Sequence, residues 1–128
     1  CPESRGLGDV YKRQAYSWLE RNYKIELSME MLKEAYDLRK NDPYITDSLG
    51  WGYYLINDFE NAEKYLKKAV ELMPYDPIVN DHYGDILWML NRKIQARYFW
   101  NNVLNLDETD DEMKIDVKKK IIYGIEKT

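Results

Sequence analysis

The chain is short of the residues that build crosslinks, metal centres and tight turns. Its 128 residues include one Cys, one His, four Pro and six Gly. A single Cys excludes a disulfide scaffold, and one Cys with one His excludes a Cys/His zinc framework. No run of eighteen apolar residues occurs, so no segment reads as membrane-spanning. The charge excess is small, 19 Lys+Arg against 23 Asp+Glu for a net of −4, and lacks the basic bias of a general nucleic-acid binder. No Gly-rich phosphate loop and no nucleophile elbow is present. What is there is 45% hydrophobic and 33% charged, enough for one soluble globular domain. Few Pro and Gly leave room for long helices. The composition points to a helical interaction domain, not an enzyme, with no cofactor.

Residues 1–14 stand apart from the rest. Ser4 to Gln14 has no hydrophobic period, and its eleven residues resemble, codon for codon, the translated transposase adapter used in sequencing libraries. The segment is therefore expected to be non-native and irregular, to pack on nothing specific, and to join a genuine gene fragment at Ala15. Cys1 falls in it, and a lipid-modified N-terminal Cys is rejected on that ground. Residues 15–128 hold 16 basic and 21 acidic residues and no Cys.

That remainder repeats with a period of 34 residues. Shifted by this amount, Pro43 falls on Pro77, Asp47 on Asp81, Gly50 on Gly84, Asn57 on Asn91, Ala62 on Ala96 and Leu72 on Leu106. Tyr54/Trp88, Leu55/Met89, Ile56/Leu90 and Tyr65/Phe99 keep their apolar or aromatic character. Period and pattern resemble the tetratricopeptide repeat, a helix–turn–helix unit. Thr46-x2-Leu49-Gly50-x2-Tyr53, then Ala62-x3-Leu66, Ala69 and Pro74, stand at the family spacing. The next unit reads Asn80-x2-Tyr83-Gly84-x2-Leu87, then Ala96-x3-Trp100 and Val103, and departs with Glu108 where the family has proline. The fold implied is an all-α solenoid: a truncated repeat at 15–42, repeats at 43–76 and 77–110, and a capping helix within 111–128. Seven helices are expected near 15–22, 28–40, 43–56, 60–73, 77–90, 94–106 and 109–126. Asp42-Pro43 and Asp76-Pro77 read as N-cap followed by Pro at the first helical position. A mid-helix Gly costs about 1 kcal/mol against Ala, so its recurrence predicts a close helix crossing at Gly50 and Gly84. Leu49, Tyr53, Leu66, Ala69, Val70 and Leu72 are the predicted core stripes, with Met113, Val117, Ile121 and Ile125 along the last helix. The segments 47–51 and 80–85 also resemble a bacterial subgroup of long proteobacterial members. That resemblance implies the C-terminal end of a larger protein, exported to the periplasm or outer membrane, with a cytoplasmic home as the alternative.

The resemblance also places function on the concave face, lined by the first helix of each unit. Its inward positions here are Tyr44, Asp47, Ser48, Trp51, Tyr54 and Leu55, then Ile78, Asp81, His82, Asp85, Trp88 and Met89. This makes an acidic, aromatic groove suited to a basic or amphipathic peptide. The family's clamp on acidic chaperone tails needs cations at these positions and is rejected, because Asp47 and Asp81 carry the wrong sign. A protein or peptide partner is expected, with no nucleic acid and no membrane insertion. The alternative is a purely structural cap of a longer array, with no ligand of its own. His82 with Asp81 and Asp85 stands at metal-ligand or acid–base spacing, weighed against a groove hydrogen bond. Asp47 and Asp81 stand equally as helix-orienting residues. Lys64-Lys67-Lys68 and Lys118-Lys119-Lys120 read as solvated faces.

Overall fold

The computed structural model describes residues 2–126, with side chains from residue 9 to residue 126. Its elements are α1 (Pro2–Glu20), α2 (Ile25–Leu38), α3 (Pro43–Leu55), α4 (Phe59–Leu72), α5 (Pro77–Met89), α6 (Lys93–Asn105) and α7 (Asp111–Tyr123), and no strand occurs among the described residues. Helices start where short acidic side chains can satisfy free backbone N–H groups. The Asp42 carboxylate accepts from the N–H groups of Tyr44 and Ile45, Asp76 from Val79, and Asp110 from Met113. Helix ends within a repeat share one device. Asn57 and Asn91 take left-handed φ angles of 65° and 64°. The next N–H groups, of Asp58 and Arg92, then reach back to the carbonyls of Tyr53 and Leu87 at 2.9 Å each. This is the Schellman closure, and Asn tolerates its left-handed position better than most residues.

Successive helices pack as antiparallel pairs, α1 on α2, α3 on α4 and α5 on α6, and each pair stacks on the next. A Cβ on Gly50 would lie 2.7 Å from Leu66 Cγ, and one on Gly84 would lie 2.5 Å from Trp100 Nε1. The two glycines therefore admit the bulky partner side chain from the second helix of their own repeat. Leu66 and Trp100 are wholly buried, as are Ala62 and Ala96. One apolar cluster runs from Tyr54 to Val117 and a second joins α1, α2 and α3 through Ala15, Leu19, Met29, Leu32 and Leu49, with Tyr53 and Leu55 packed against both.

Three sequence expectations change. Residues 2–14 are not irregular: α1 runs continuously from Pro2 to Glu20. Nor are they without contacts, since Asp9 pairs with Arg39 at 3.1 Å and the Lys12 ammonium sits 5.6 Å from the Tyr44 ring centre. The apolar anchors at Ala15 and Leu19 hold the helix, and its earlier turns extend from them alongside α2 and α3. Cys1 lies outside the described residues. Leu72 is 41% exposed instead of buried, because it closes the last turn of α4 on the outer face. Lys120 leaves the solvated face altogether, as described below.

Filling the space beside Trp100 should be costly. Gly84→Ala is expected to lower unfolding stability by roughly 1–3 kcal/mol, the usual range for overpacking a core. Urea denaturation of the two chains measures it.

Candidate functional site: a concave face with internally paired charges

The odd-numbered helices lie side by side, α1 on α3 and α3 on α5, and form one face. Each brings polar or aromatic side chains to it because the apolar stripe of the same helix turns to its partner. Between them lies an open cavity of about 370 Å³, lined by Lys12, Arg13 and Tyr16 of α1, Tyr44, Asp47 and Ser48 of α3, and Ile78 and His82 of α5. Tyr44 is 53% exposed at its rim, whereas Asp47, Ser48 and His82 are nearly closed off from solvent.

At the floor of this face, His82 Nδ1 stands 2.9 Å and 3.0 Å from the two Asp47 carboxylate oxygens. The Trp51 indole lies flat on the imidazole, with ring centres 4.0 Å apart, and stacks on Tyr54 at 4.4 Å on its own helix. A carboxylate, an imidazole, an indole and a phenol thus form one layered group across two repeats. Burial opposes the charge on His82, but Asp47 overcomes it, with Asp85 and Asp81 adding to the effect, and the pKa rises above 6.5. Burial also raises the Tyr16 phenol to about 12, with Glu20 and Asp47 contributing.

The second half of the face is filled from α7. The Lys120 ammonium reaches Asp81 at 2.9 Å and both Asp85 oxygens at 3.0 Å and 3.1 Å. Asp85 also accepts from Trp100 Nε1 at 3.1 Å. Burial and the like charge of Asp81 push the Asp85 carboxyl up to about 6, against the pull of Lys120 and His82. Burial works against the charge on Lys120, yet Asp85 and Asp81 more than offset it and raise its pKa. Trp88 is covered as well: its Nε1 donates to the Ile125 carbonyl at 3.1 Å, and Gly124 lies against its ring. Lys93 and Arg97 sit over that ring at 4.8 Å and 5.0 Å.

Tyr44, Asp47, Ser48 and His82 therefore line one cavity, with Trp51 and Tyr54 stacked beside His82. Asp81, Asp85 and Trp88 belong to the α7 contact. The expectation that Trp88, Asp81 and Asp85 stand free in an acidic trough is corrected: the chain's own C-terminal segment meets all three. Asp47 has the His82 imidazole beside it, and Asp81 and Asp85 share the Lys120 ammonium, so the negative field is smaller than the sequence implied. Among the described residues, no group of three or more His, Cys, Asp or Glu side chains is arranged to hold a metal ion. No helix among the described residues is long and apolar enough to cross a membrane. Sequence reasoning missed Lys120, although it lies three residues after Val117 and one before Ile121, on the edge of the apolar stripe. It also missed Lys12, Arg13 and Tyr16, the first two because their segment had been set aside.

Comparison with known proteins yields no matching family profile and no matching curated protein. Solved structures do match. The first TPR domain of RPAP3 (Spaghetti), bound to the HSP90 peptide SRMEEVD, aligns over 89% of this chain and 90% of its own at a TM-score of 0.75 and 18% identity. The Arabidopsis OM64 TPR domain aligns over 95% and 99% at 0.78 and 16%. The Yersinia enterocolitica type III secretion translocator chaperone SycD aligns over 91% and 90% at 0.79 and 13%. The fold is an all-α tetratricopeptide-repeat solenoid.

The titration of the face gives a signed pH dependence. A raised His pKa contributes stability that is fully present below about 6.5 and is lost as pH rises through the folded value. Asp85, raised from 3.8 to about 6, loses its contribution over that lower window. Unfolding midpoints should fall across both windows, and His82→Gln should remove the upper step while keeping the lower. Urea titrations at a series of pH values report both.

Proposed function

We propose that the chain is a protein-interaction scaffold that takes a peptide segment on its concave face. The observation that carries this reading is the open cavity of about 370 Å³ between α1, α3 and α5, with the exposed Tyr44 ring at its mouth. A preformed cavity with a mixed polar and aromatic lining suits an extended or helical peptide. The fold supports the same class of role, since the RPAP3 domain of similar structure is bound to a peptide.

The ligand proposed is amphipathic and not strongly basic. Asp47 already faces His82 at 2.9 Å, and Lys12 and Arg13 stand on the opposite wall. Apolar and aromatic contact with Tyr16, Tyr44 and Ile78 then supplies most of the affinity, and charge supplies orientation. The acidic SRMEEVD type of ligand seen on RPAP3 is not proposed, because it would meet the Asp47 carboxylate on the cavity wall. Affinity in the micromolar range is expected, since this cavity is smaller than a standard interface.

A peptide-display selection on the full chain tests this. Enriched peptides should carry two or more apolar side chains, and Tyr44→Ala should weaken them about tenfold while leaving the unfolding transition in place. Their affinity should change by less than about threefold between low and physiological salt. Selection of no peptide sensitive to Tyr44 would leave the chain as a structural segment of a repeat array.

A further inference from the structure

The contact between α7 and the concave face differs from the packing elsewhere in the solenoid. Val117 is the only fully buried residue of α7, and beyond it Ile122 and Tyr123 are 67% and 79% exposed. From Lys120 onward only Ile121 and Ile125 pack, partly buried, against the apolar cluster, and polar contacts join them: Lys120 to Asp81 and Asp85, the Ile121 carbonyl accepting from Arg97 Nε at 3.0 Å, and the Ile125 carbonyl from Trp88 Nε1 at 3.1 Å. Gly124, at φ 74°, brings its backbone flat against the Trp88 ring, where a Cβ would overlap it. A lysine seated between two carboxylates, aliphatic residues after it and backbone carbonyls on an indole and a guanidinium are the features of a bound peptide. Here they are supplied in cis.

We propose that Asp81, Asp85 and Trp88 form a lysine-recognition seat which residues 120–126 of the same chain occupy, and from which a partner peptide carrying a lysine ahead of aliphatic residues and a glycine displaces them. The inference rests on the concave face being the docking surface, and adds to it a second half that is closed until the C-terminal segment leaves. Asp85 is nearly fully buried and accepts from Trp100 as well, so the seat stays in place when the lysine departs. After Val117 the apolar contacts to be broken are those of the partly buried Ile121 and Ile125, so the departure exposes little of the core and leaves the repeats folded. The specificity is for lysine ahead of a β-free residue: the Asp81–Asp85 pair takes the ammonium, and the flat Trp88 face four residues on admits only glycine-like backbone approach.

The test uses the full-length chain and a fluorescent peptide of its own residues 117–126 added in trans. Lys120→Ala with Gly124→Ala removes the cis occupant, and this variant should bind the peptide at least about tenfold more tightly than the unaltered chain. Adding Asp81→Asn and Asp85→Asn should abolish that binding. Equal, weak binding to the unaltered and opened chains would overturn the proposal. A second measurement needs no substitution. In the unaltered protein, hydrogen exchange at the Trp88 indole N–H should be faster than at the Trp100 indole N–H and insensitive to low denaturant. Exchange of both groups only through global unfolding would overturn it. Display-selected peptides that depend on Tyr44, with no trans peptide bound by the opened chain, would keep the scaffold reading and overturn the lysine seat alone.

Discussion

An imidazole and a carboxylate from successive repeats meet at the floor of the concave face, and the arrangement around them follows from that contact. Asp47 and His82 can lie 2.9 Å apart only if α3 and α5 run closely side by side. The packing of α4 on α5 one layer deeper brings them together, and within each repeat Gly50 admits Leu66 and Gly84 admits Trp100. Each odd helix thereby sinks onto its partner, and the polar edges of the odd helices come together. Trp51 then covers the pair with a parallel ring, which shields it from water and strengthens its electrostatic attraction.

The same constraint explains the charge pattern. Buried carboxylates are costly unless paired, and three of them on one face would repel one another. The chain meets this with an imidazole from the neighbouring repeat and an ammonium from α7. Lys120 thus pairs with Asp81 and Asp85 together and offsets their mutual repulsion. The Asp47 carboxylate favours the charged form of buried His82, while burial and Asp81 disfavour the charged form of Asp85, which is why both titrations carry stability.

Much of the fold was legible in the sequence. The 34-residue period, the Asp-Pro helix starts and the paired Gly50 and Gly84 each demand a local geometry, and each is met where expected. Helix α1 was misread because a segment judged by its origin was taken to lack structure; helix propagation depends on the anchors at Ala15 and Leu19, whatever precedes them. The inward positions of α3 and α5 were also legible, since repeat register fixes which side of a helix faces the groove. Their pairing was not. That Asp47 meets His82 depends on the offset between neighbouring repeats, and that Lys120 turns inward depends on how α7 docks against α5 and α6. Neither quantity is encoded in the spacing within a single helix.

The central claim is that the charges of the concave face are paired within the chain. The single histidine makes this directly measurable, because its ring resonances are unambiguous in a nuclear magnetic resonance titration. His82 in the native protein should titrate above 6.5, and Asp47→Asn should bring its pKa down, since burial then acts without the opposing carboxylate. Titration at or below 6.5 in the unaltered protein, unmoved by Asp47→Asn, would contradict the account.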